Sequence, residues 1–373
     1  MKIISILPIY DPTNASVVRR VSLMNSVREL GIESQLIFIK SIVDSPEDCQ
    51  ILSNGKLPLF LARLVNFIKI LRIIKRGDAI LLSGFCIWEL GLLSMFKKLK
   101  KFHLYNEITE YPDVVNFTGF KCKIFESILL KKLDGLFVIS DHLKKYYTTK
   151  MNNPKNIFQL NMLVDMSRFA SFVHNPHEKT VIAYCGSGVN AKDGVDLLIK
   201  AYAHLCKKYD NLELLLIGAK PYPDYENNEN LVKQLGVAES IRFTGPVHYN
   251  KIPDLLQKAD VLVLARPNSR QADGGFPTKL GEYLCTGIPV VTTNVGEIHN
   301  YLTDNENILF SKSESPVDIA DRIEWVLRNH EAAYDIASRG KAQVYDNFSS
   351  ISQARHLINS ISASNKNLVN WES

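Results

Sequence analysis

Short apolar runs alternate with segments of helical periodicity along nearly the whole chain. In the first half these runs fall at residues 2–7, 34–39, 79–82, 101–105 and 135–139. In the second half they fall at residues 181–185, 212–218, 241–243, 261–265, 289–293 and 307–310. Strands that alternate with crossover helices form parallel sheets. The pattern predicts the α/β class, with two Rossmann-like, doubly wound parallel-sheet domains.

The segment between the first two strands is predicted to be a helix. Its apolar side chains recur at helical spacing, at Val17, Val21, Met24, Val27 and Leu30. Gly31 follows them and is typical of a helix C-terminus. This helix should bury one face against the first sheet.

The length of 373 residues exceeds what one hydrophobic core usually organises, so two domains are expected. Residues 169–180, FASFVHNPHEKT, have a polar, proline-containing centre and are the best candidate for a linker. We therefore expect an N-terminal domain over residues 1–172 and a C-terminal domain over residues 173–350. Residues 351–373 are expected to form a helix that returns to the first domain.

Cysteine usage and the N-terminal segment indicate a cytoplasmic protein. The six cysteines lack the close pairs of a zinc site and the density of a secreted disulfide scaffold. The segment MKIISILPIY has one lysine and a short apolar run, which favours a first strand over a signal peptide. No apolar stretch reaches the length that spans a bilayer.

Charge is distributed unevenly between the two halves. Residues 1–172 carry 24 Lys and Arg against 15 Asp and Glu, a net +9, and the remaining residues carry 20 against 24, a net −4. A predicted helix over residues 58–75 is apolar around most of its surface. Basic or polar residues follow one side of it, at Arg63, Asn66, Lys69, Arg72 and Arg76. This combination favours peripheral contact with the inner membrane face. The alternative is a core helix with a solvated basic stripe.

A nucleic-acid partner is not expected from this basic half. Its basic segments lack the interleaved aromatic side chains on which bases stack. Anionic lipid or an acidic substrate fits the charge better.

Two strand-to-helix turns of the second half carry candidate chemistry. Ligands of open α/β sheets gather where such turns meet, at the carboxyl ends of strands. The first turn, CGSGVNAKDGVD, begins at Cys185 and combines glycines with Lys192, a cation placed near a bound pyrophosphate. The alternative is an ordinary glycine-rich turn with a solvated lysine.

The second turn runs from Arg266 to Leu284, RPNSRQADGGFPTKLGEYL. Pro277 suits the start of a helix, which should begin at Thr278 and stop at Gly287. Amides at this helix start, together with Lys279, can face a diphosphate. Glu282 lies one turn further on, where a carboxylate can accept hydrogen bonds from vicinal hydroxyls. The alternative for Glu282 is an exposed helix glutamate.

The segment GFPTKLGEYLCTGIPVV (275–291) resembles the signature of family 4 retaining glycosyltransferases, which have the GT-B fold of two Rossmann-like domains facing a cleft. Further segments follow in matching order from residue 130 to residue 310, among them NMLVDMSRF, IAYCGSGVNAKDGVDLLIKAY and ADVLVLARPNS. The first 130 residues match only loosely. The resemblance implies a nucleotide-sugar donor in the second domain and an acceptor in the first.

Site residues carry over from the resemblance by position. Lys192 and Lys279 would neutralise the donor diphosphate and Glu282 would hold the ribose; these three are the expected catalytic residues. The remaining expected donor-binding residues are Gly186, Ser187, Gly218, Arg242, Arg266, Phe276, Pro277, Thr278 and Leu280, with the turn Gly218 to Lys220 and residues Arg242 and Phe243 around the base. On the acceptor side, the loop Pro8 to Ser16 implies Asn14 and Ser16.

Two departures from the family pattern alter the expected site. Eight residues before Glu282, where many members have a first glutamate that contacts the sugar, this chain has Gly274, with Asp273 beside it. The usual arginine after the first-turn glycine is Ser187. We hypothesise that Arg266 or Arg270 replaces the missing cation.

Under the same hypothesis, Lys279 or Asp273 orients the donor sugar. Among first-domain carboxylates, Glu107 and Glu110 are candidates to orient the acceptor, with helix capping as the structural alternative.

The resemblance implies transfer of a hexose or N-acetylhexosamine from a UDP- or GDP-sugar to a lipid-linked or cell-surface glycan at the cytoplasmic membrane face. Configuration would be retained. Amides and lysines would stabilise the departing diphosphate, so neither a metal nor a cofactor is expected. One alternative is a noncatalytic glycan- or nucleotide-binding subunit on a degenerate form of the fold, which the absence of the arginine at Ser187 allows. A sugar-nucleotide epimerase is another.

Overall fold

The computed structural model describes residues 1–12, 14–42, 49–52, 59–175, 178–218 and 223–365. The chain divides into two compact units. Unit 1 contains Met1–Leu163 and, after the second unit, residues 350–365; unit 2 is Val164–Ser349. The first division thus falls nine residues before the boundary expected at 172/173, and the second falls one residue before the boundary expected at 350/351. Among the described residues, no helix is long and apolar enough to cross a membrane.

Unit 1 is a seven-stranded parallel sheet covered by helices. Its strands are β1 (Ile3–Tyr10), β2 (Ser34–Ser41), β3 (Cys49–Ile51), β4 (Ala79–Ser83), β5 (His103–Ile108), β6 (Gly135–Val138) and β7 (Ile157–Gln159). Its helices are α1 (Ala15–Glu29), α2 (Leu59–Ile73), α3 (Ile87–Lys100), α4 (Gly119–Ile124) and α5 (Asp141–Thr148), with a π-helix at Phe125–Leu129. The strand order β3-β2-β1-β4-β5-β6-β7 is doubly wound.

Unit 2 is a second doubly wound parallel sheet, of order β10-β9-β8-β11-β12-β13. Its strands are β8 (Thr180–Gly186), β9 (Leu212–Gly218), β10 (Ile241–Phe243), β11 (Val261–Leu264), β12 (Val290–Thr293) and β13 (Leu309–Ser311). Its helices are α6 (Asn190–Asp193), α7 (Val195–Leu205), α8 (Pro223–Gln234), α9 (Ile252–Leu256), α10 (Arg270–Gly274), α11 (Thr278–Thr286), α12 (Pro316–Arg328) and α13 (His330–Asn347). The predicted pair of Rossmann-like domains is confirmed.

The last helix, α14 (Ser350–Ser364), completes the core of unit 1. Its Leu357 and Ile361 are fully buried in the cluster that also contains Met24 and Val27 of α1. A hydrogen bond of 2.8 Å joins the Ser350 hydroxyl to that of Ser26. Residues from both ends of the described chain therefore build one core.

Helix α2 departs from the prediction at one position of its basic side. Asn66, expected on the exposed basic side, is 5% exposed. Lys69, Arg72 and Arg76 of that side are exposed, and so are several apolar residues of the helix. A helix that is apolar around most of its surface has several faces that can pack on a sheet, and packing, not periodicity, selects one.

Candidate functional site

The turns that follow β8 and β11 meet in unit 2. These strands are neighbours, and the strand order reverses between them, because β9 and β10 lie on one side and β12 and β13 on the other. This reversal creates the crevice in which doubly wound sheets bind ligands. The two turns that the sequence indicated therefore lie at the same crevice.

Two glycines allow the backbones of β8 and β9 to come together at the floor of a pocket. Gly218 has φ +142, and a Cβ atom there would lie 1.8 Å from the Gly186 carbonyl oxygen. A Cβ atom on Gly186 would lie 2.1 Å from Lys279 Nζ. Any other residue at either position would displace a neighbour that the pocket requires.

The pocket is lined by backbone and polar groups and by aromatic rings. Gly186, Ser187 and Gly218 contribute to its wall together with Tyr225 and Phe243, whose rings lie 5.2 Å apart and edge to face. Such a wall suits a planar ring system. Arg242 does not line the pocket; it is exposed and pairs with Glu213 at 3.1 Å. Lys220 lies outside the described residues.

Lys279 points back from α11 to the turn after β8. Its Nζ lies 2.7 Å from Asp193 Oδ2 and 3.2 Å from the Tyr184 hydroxyl. Asp193 also accepts hydrogen bonds from Tyr184 at 2.6 Å and from Ser187 at 2.7 Å. The lysine is thus held by a carboxylate and not free, and one of its three N–H groups remains for a ligand.

The ionisation of this cluster follows from its burial. Burial alone raises the pKa of Asp193, but the Lys279 ammonium and the three hydrogen bonds outweigh it and lower that pKa to about 2. Burial also raises the pKa of the Tyr184 phenol well above its usual value. Asp193 is therefore a fixed anion and Tyr184 a neutral donor at neutral pH. Lys192, which directly precedes Asp193, is half-exposed and makes no ion pair within the described residues.

Glu282 is held by an arginine from a distant segment. Arg168 Nη1 donates to Glu282 Oε1, and Arg168 Nη2 donates to the Tyr249 carbonyl at 2.7 Å. The guanidinium carbon lies 3.3 Å from the centroid of the Tyr249 ring. Burial raises the pKa of Glu282 above its usual range, and the charge of Arg168 opposes that rise. Oε2 has no protein partner among the described residues and is the oxygen that can receive a hydroxyl.

The start of α11 matches its prediction, with Pro277 as N-cap and Gly287 in the left-handed region after its end. Within the described residues, the amides of Phe276, Thr278 and Lys279 donate to no backbone carbonyl. The Leu280 amide, also expected to face the donor, donates instead to the Pro277 carbonyl at 3.0 Å.

The Phe276 side chain anchors this turn from below. It packs in an aromatic cluster with Tyr301 and Phe348, at ring distances of 5.6 and 5.4 Å. Leu280 is fully buried in the core of unit 2. These two side chains hold the turn in place.

The loop before α11 places the two candidate arginines differently. Arg266 is 4% exposed, and its Nη2 donates to the Gln271 carbonyl at 2.9 Å, which ties the loop to itself. Arg270 is exposed at the start of α10. Asp273 is half-buried and Gly274 is buried. Arg266 is thus the buried one of the two.

The candidate acceptor residues of unit 1 have structural contacts. Asn14 caps α1 and accepts hydrogen bonds from the Ser16 amide at 2.9 Å and the Ser16 hydroxyl at 2.7 Å. Glu107 is 3% exposed, and both of its oxygens accept from arginines of α1, Arg19 and Arg20. This is an ion-pair role rather than the helix cap that was the structural alternative. Glu110, two residues after β5, is half-buried.

Sequence reasoning missed three residues of this site, Asp193, Tyr184 and Arg168. Asp193 had a local signal, since it directly precedes Gly194, which has φ +65 and closes the turn. Arg168 had none, because its partner lies 114 residues away.

The model of the Glycosyl transferases group 1 family matches residues 167–343, which is nearly all of unit 2 and just under half of the chain. Among curated relatives, a Mycobacterium tuberculosis protein named GDP-mannose-dependent alpha-(1-6)-phosphatidylinositol monomannoside mannosyltransferase is 27% identical over 164 residues, 43% of this chain and 42% of the relative. A D-inositol 3-phosphate glycosyltransferase of Corynebacterium aurimucosum is 29% identical over 158 residues, 41% of this chain and 36% of the relative. The matched region thus spans well under half the length of these two relatives.

Solved structures match over nearly the full length. A glycosyltransferase from Rickettsia africae superposes with a TM-score of 0.76 at 16% identity, covering 98% of this chain and 99% of that one. Anabaena HepE in complex with UDP and glucose gives a TM-score of 0.76 at 13% identity, covering 97% and 100%. At these identities the likeness establishes the shared fold.

Proposed function

We propose that this protein is a retaining glycosyltransferase that moves a hexose or N-acetylhexosamine from a UDP- or GDP-sugar to a lipid-linked or cell-surface glycan. The proposal includes a cytoplasmic location at the inner membrane face. One observation carries it: Lys279 of α11 reaches the glycine turn at Gly186, and among the described residues the same helix keeps an unpaired Glu282 Oε2 and amides at its start that donate to no backbone carbonyl. The family match over residues 167–343 supports it.

The donor would lie across this crevice with its parts matched to the site. The base would sit against Tyr225 and Phe243, and a ribose hydroxyl would donate to Glu282 Oε2. The diphosphate would receive hydrogen bonds from the free N–H of Lys279 and from the α11 amides. Lys192 would add charge from the side of α6.

The chemistry of these residues is leaving-group stabilisation. When the bond from the anomeric carbon to the diphosphate breaks, negative charge grows on the diphosphate. Donors already aimed at that position lower the barrier, because they need no reorganisation during the reaction. Asp193 keeps Lys279 charged and aimed, in spite of burial. We propose that these groups suffice without a metal ion or a cofactor.

Donor binding is tested by thermal unfolding with a panel of UDP- and GDP-sugars. A donor present at about 100 times its dissociation constant should add about 2.7 kcal/mol to the free energy of unfolding. The Glu282→Gln variant should respond less to the same donor. If no nucleotide sugar stabilises the protein, the proposal fails.

Turnover separates the enzyme from its alternatives. A glycosyltransferase consumes the donor and attaches the sugar to a membrane-extracted glycan lipid, and NMR of the product should give the donor's anomeric configuration. A binding subunit would be stabilised by donor but would not consume it. An epimerase would convert the donor sugar with no acceptor present.

The role of Arg266 is tested by Arg266→Ala. It should raise the donor KM or lower kcat far more than Arg76→Ala, which removes an exposed arginine of unit 1. The reason is that Arg266 holds the loop that leads to α11. Equal kinetic effects of the two substitutions would show that Arg266 has no part in donor binding.

A further inference from the structure

Helices α2 and α3 of unit 1 lie side by side and run in the same direction. The Arg63 guanidinium carbon lies 5.4 Å from the Trp88 ring centroid, near the start of both helices. Phe67 and Phe96 meet edge to face at 5.4 Å, midway along. The two outward surfaces therefore form one continuous face.

This face is apolar and exposed. In α2 the exposed apolar residues recur at helical spacing, and in α3 a second such row runs beside it. Their exposed fractions range from 37% to 77%, for Leu61, Leu64, Val65, Ile68, Trp88, Met95 and Leu99. We call these seven residues the α2/α3 face. A contiguous exposed apolar patch on a folded unit marks an interaction surface.

The surroundings of the α2/α3 face are strongly basic. Residues 59–101 contain nine Lys and Arg and only two acidic residues, a net +7 of the +9 carried by residues 1–172. One of the two acids, Asp78, is buried and accepts hydrogen bonds from the backbone amides of Lys2 and Lys75. Lys69, Arg72, Lys98 and Lys101 are exposed beside the apolar rows.

Charge decides between the possible occupants of this face. A second copy of the chain would bring the same +7 segment against itself, and opposed like charges are unfavourable. A nucleic acid would find one exposed aromatic ring, Trp88, among aliphatic side chains on which bases do not stack. A membrane surface accepts both properties, because apolar side chains enter the acyl boundary while Lys and Arg reach anionic headgroups.

We propose that the α2/α3 face docks on a bilayer containing anionic phospholipid, with both helices lying in the plane of the interface. This identifies the membrane contact of the proposed function. It adds α3 to the helix that the sequence indicated, and Trp88 lies at its edge as the interfacial anchor.

The test uses the full-length protein and vesicles of phosphatidylcholine, alone or with about one third phosphatidylglycerol. Flotation should recover the protein with the anionic vesicles and little with the neutral ones, and added salt should release it. The Met95→Glu/Leu99→Glu double variant should bind at least about tenfold more weakly, since two apolar groups are replaced by anions. Val317→Glu, at a 55% exposed position in unit 2, is the matched control.

Three results would overturn the proposal: equal binding to both vesicle types, unchanged binding of the double variant, or a dimer in solution that the double variant disrupts. Donor-induced thermal stabilisation, measured on the same samples, should be the same in wild type and double variant. A protein that binds vesicles but no donor would uphold this inference and reject the proposed glycosyltransferase. A protein that binds donor but no vesicles would reject this inference and uphold donor binding by the proposed glycosyltransferase.

Discussion

Each unit has a buried ionic cluster near the carboxyl end of its sheet, but the two clusters differ in how far they are closed. In unit 1, Arg19, Arg20 and Glu107 are at most 4% exposed, and both Glu107 oxygens are occupied. In unit 2, Lys279 is 19% exposed and Glu282 is 16% exposed, and each keeps one unused polar group. Position in the fold is therefore not enough to define a site. Exposure beside a pocket distinguishes the second cluster, because the first also keeps buried nitrogens without a partner, at Arg19 Nη1 and Arg20 Nε.

The largest effect on stability is expected for the unit 1 cluster of Arg19, Arg20 and Glu107, which is almost fully buried. Glu107→Gln leaves two buried guanidinium groups without a counter-charge and should lower the free energy of unfolding by about 3–5 kcal/mol, measured by urea denaturation. Glu33→Gln removes an exposed partner of Lys2 and should change little. If Glu107→Gln unfolds like wild type and loses only acceptor transfer, then the unit 1 cluster is a site after all.

Substitutions in the unit 2 cluster of Lys279 and Glu282 should change the kinetics of donor turnover. Lys279→Met should lower kcat/KM for the donor by about 10²–10³-fold, the usual effect of removing one aimed donor at a developing charge. Lys200→Met is the control, because Lys200 pairs with Asp196 at 3.0 Å and is 43% exposed. Similar activities of the two variants would mean that Lys279 serves only to neutralise Asp193.

Asp193 links stability to pH. Its pKa in the folded protein is about 2 against an ordinary 3.8, so it contributes stability that is present above about pH 3.8 and is lost as the pH falls through about 2. Asp193→Asn should therefore cost about 2 kcal/mol near neutral pH. Urea unfolding of both proteins at decreasing pH should give a difference that shrinks below pH 3.8. If the difference in unfolding free energy between the two proteins does not change with pH, the loss in Asp193→Asn comes from packing and not from the charge of Asp193.

The smallest effect is expected for Arg168. Arg168→Gln should raise the donor KM about tenfold, with a smaller change in kcat, because Glu282 loses the partner that favours its ionised form and keeps it in place. Burial raises the pKa of Glu282, and without Arg168 that pKa should rise further. The variant's donor KM should then decrease as the pH increases. Arg242→Gln, outside the pocket, should leave KM unchanged and serves as the control.

Local sequence signals predicted most of the fold. All eleven apolar runs became strands, and Pro277 and Gly287 marked the ends of α11. The two strands that were missed, β3 and β7, have three residues each and lie at opposite edges of the first sheet. Edge strands need no long apolar run, because only one neighbour pairs with them.

The site was less predictable because its pairs join distant segments. Lys279 meets Asp193 across 86 residues, and Arg168 meets Glu282 across 114. Such contacts depend on how two turns align after folding, and residue spacing does not encode that alignment. The burial of Asn66 in α2 was equally unpredictable from the sequence, because the sheet beneath the helix decides which of its residues pack inward.

The placement of α14 has a consequence for synthesis on the ribosome. Unit 2 has its whole sequence once Ser349 has left the exit tunnel, whereas unit 1 still lacks Leu357 and Ile361 of its core. The usual order, in which the N-terminal domain folds first, is thus reversed at the last step. Until α14 arrives, the nascent chain carries an uncovered apolar surface on α1.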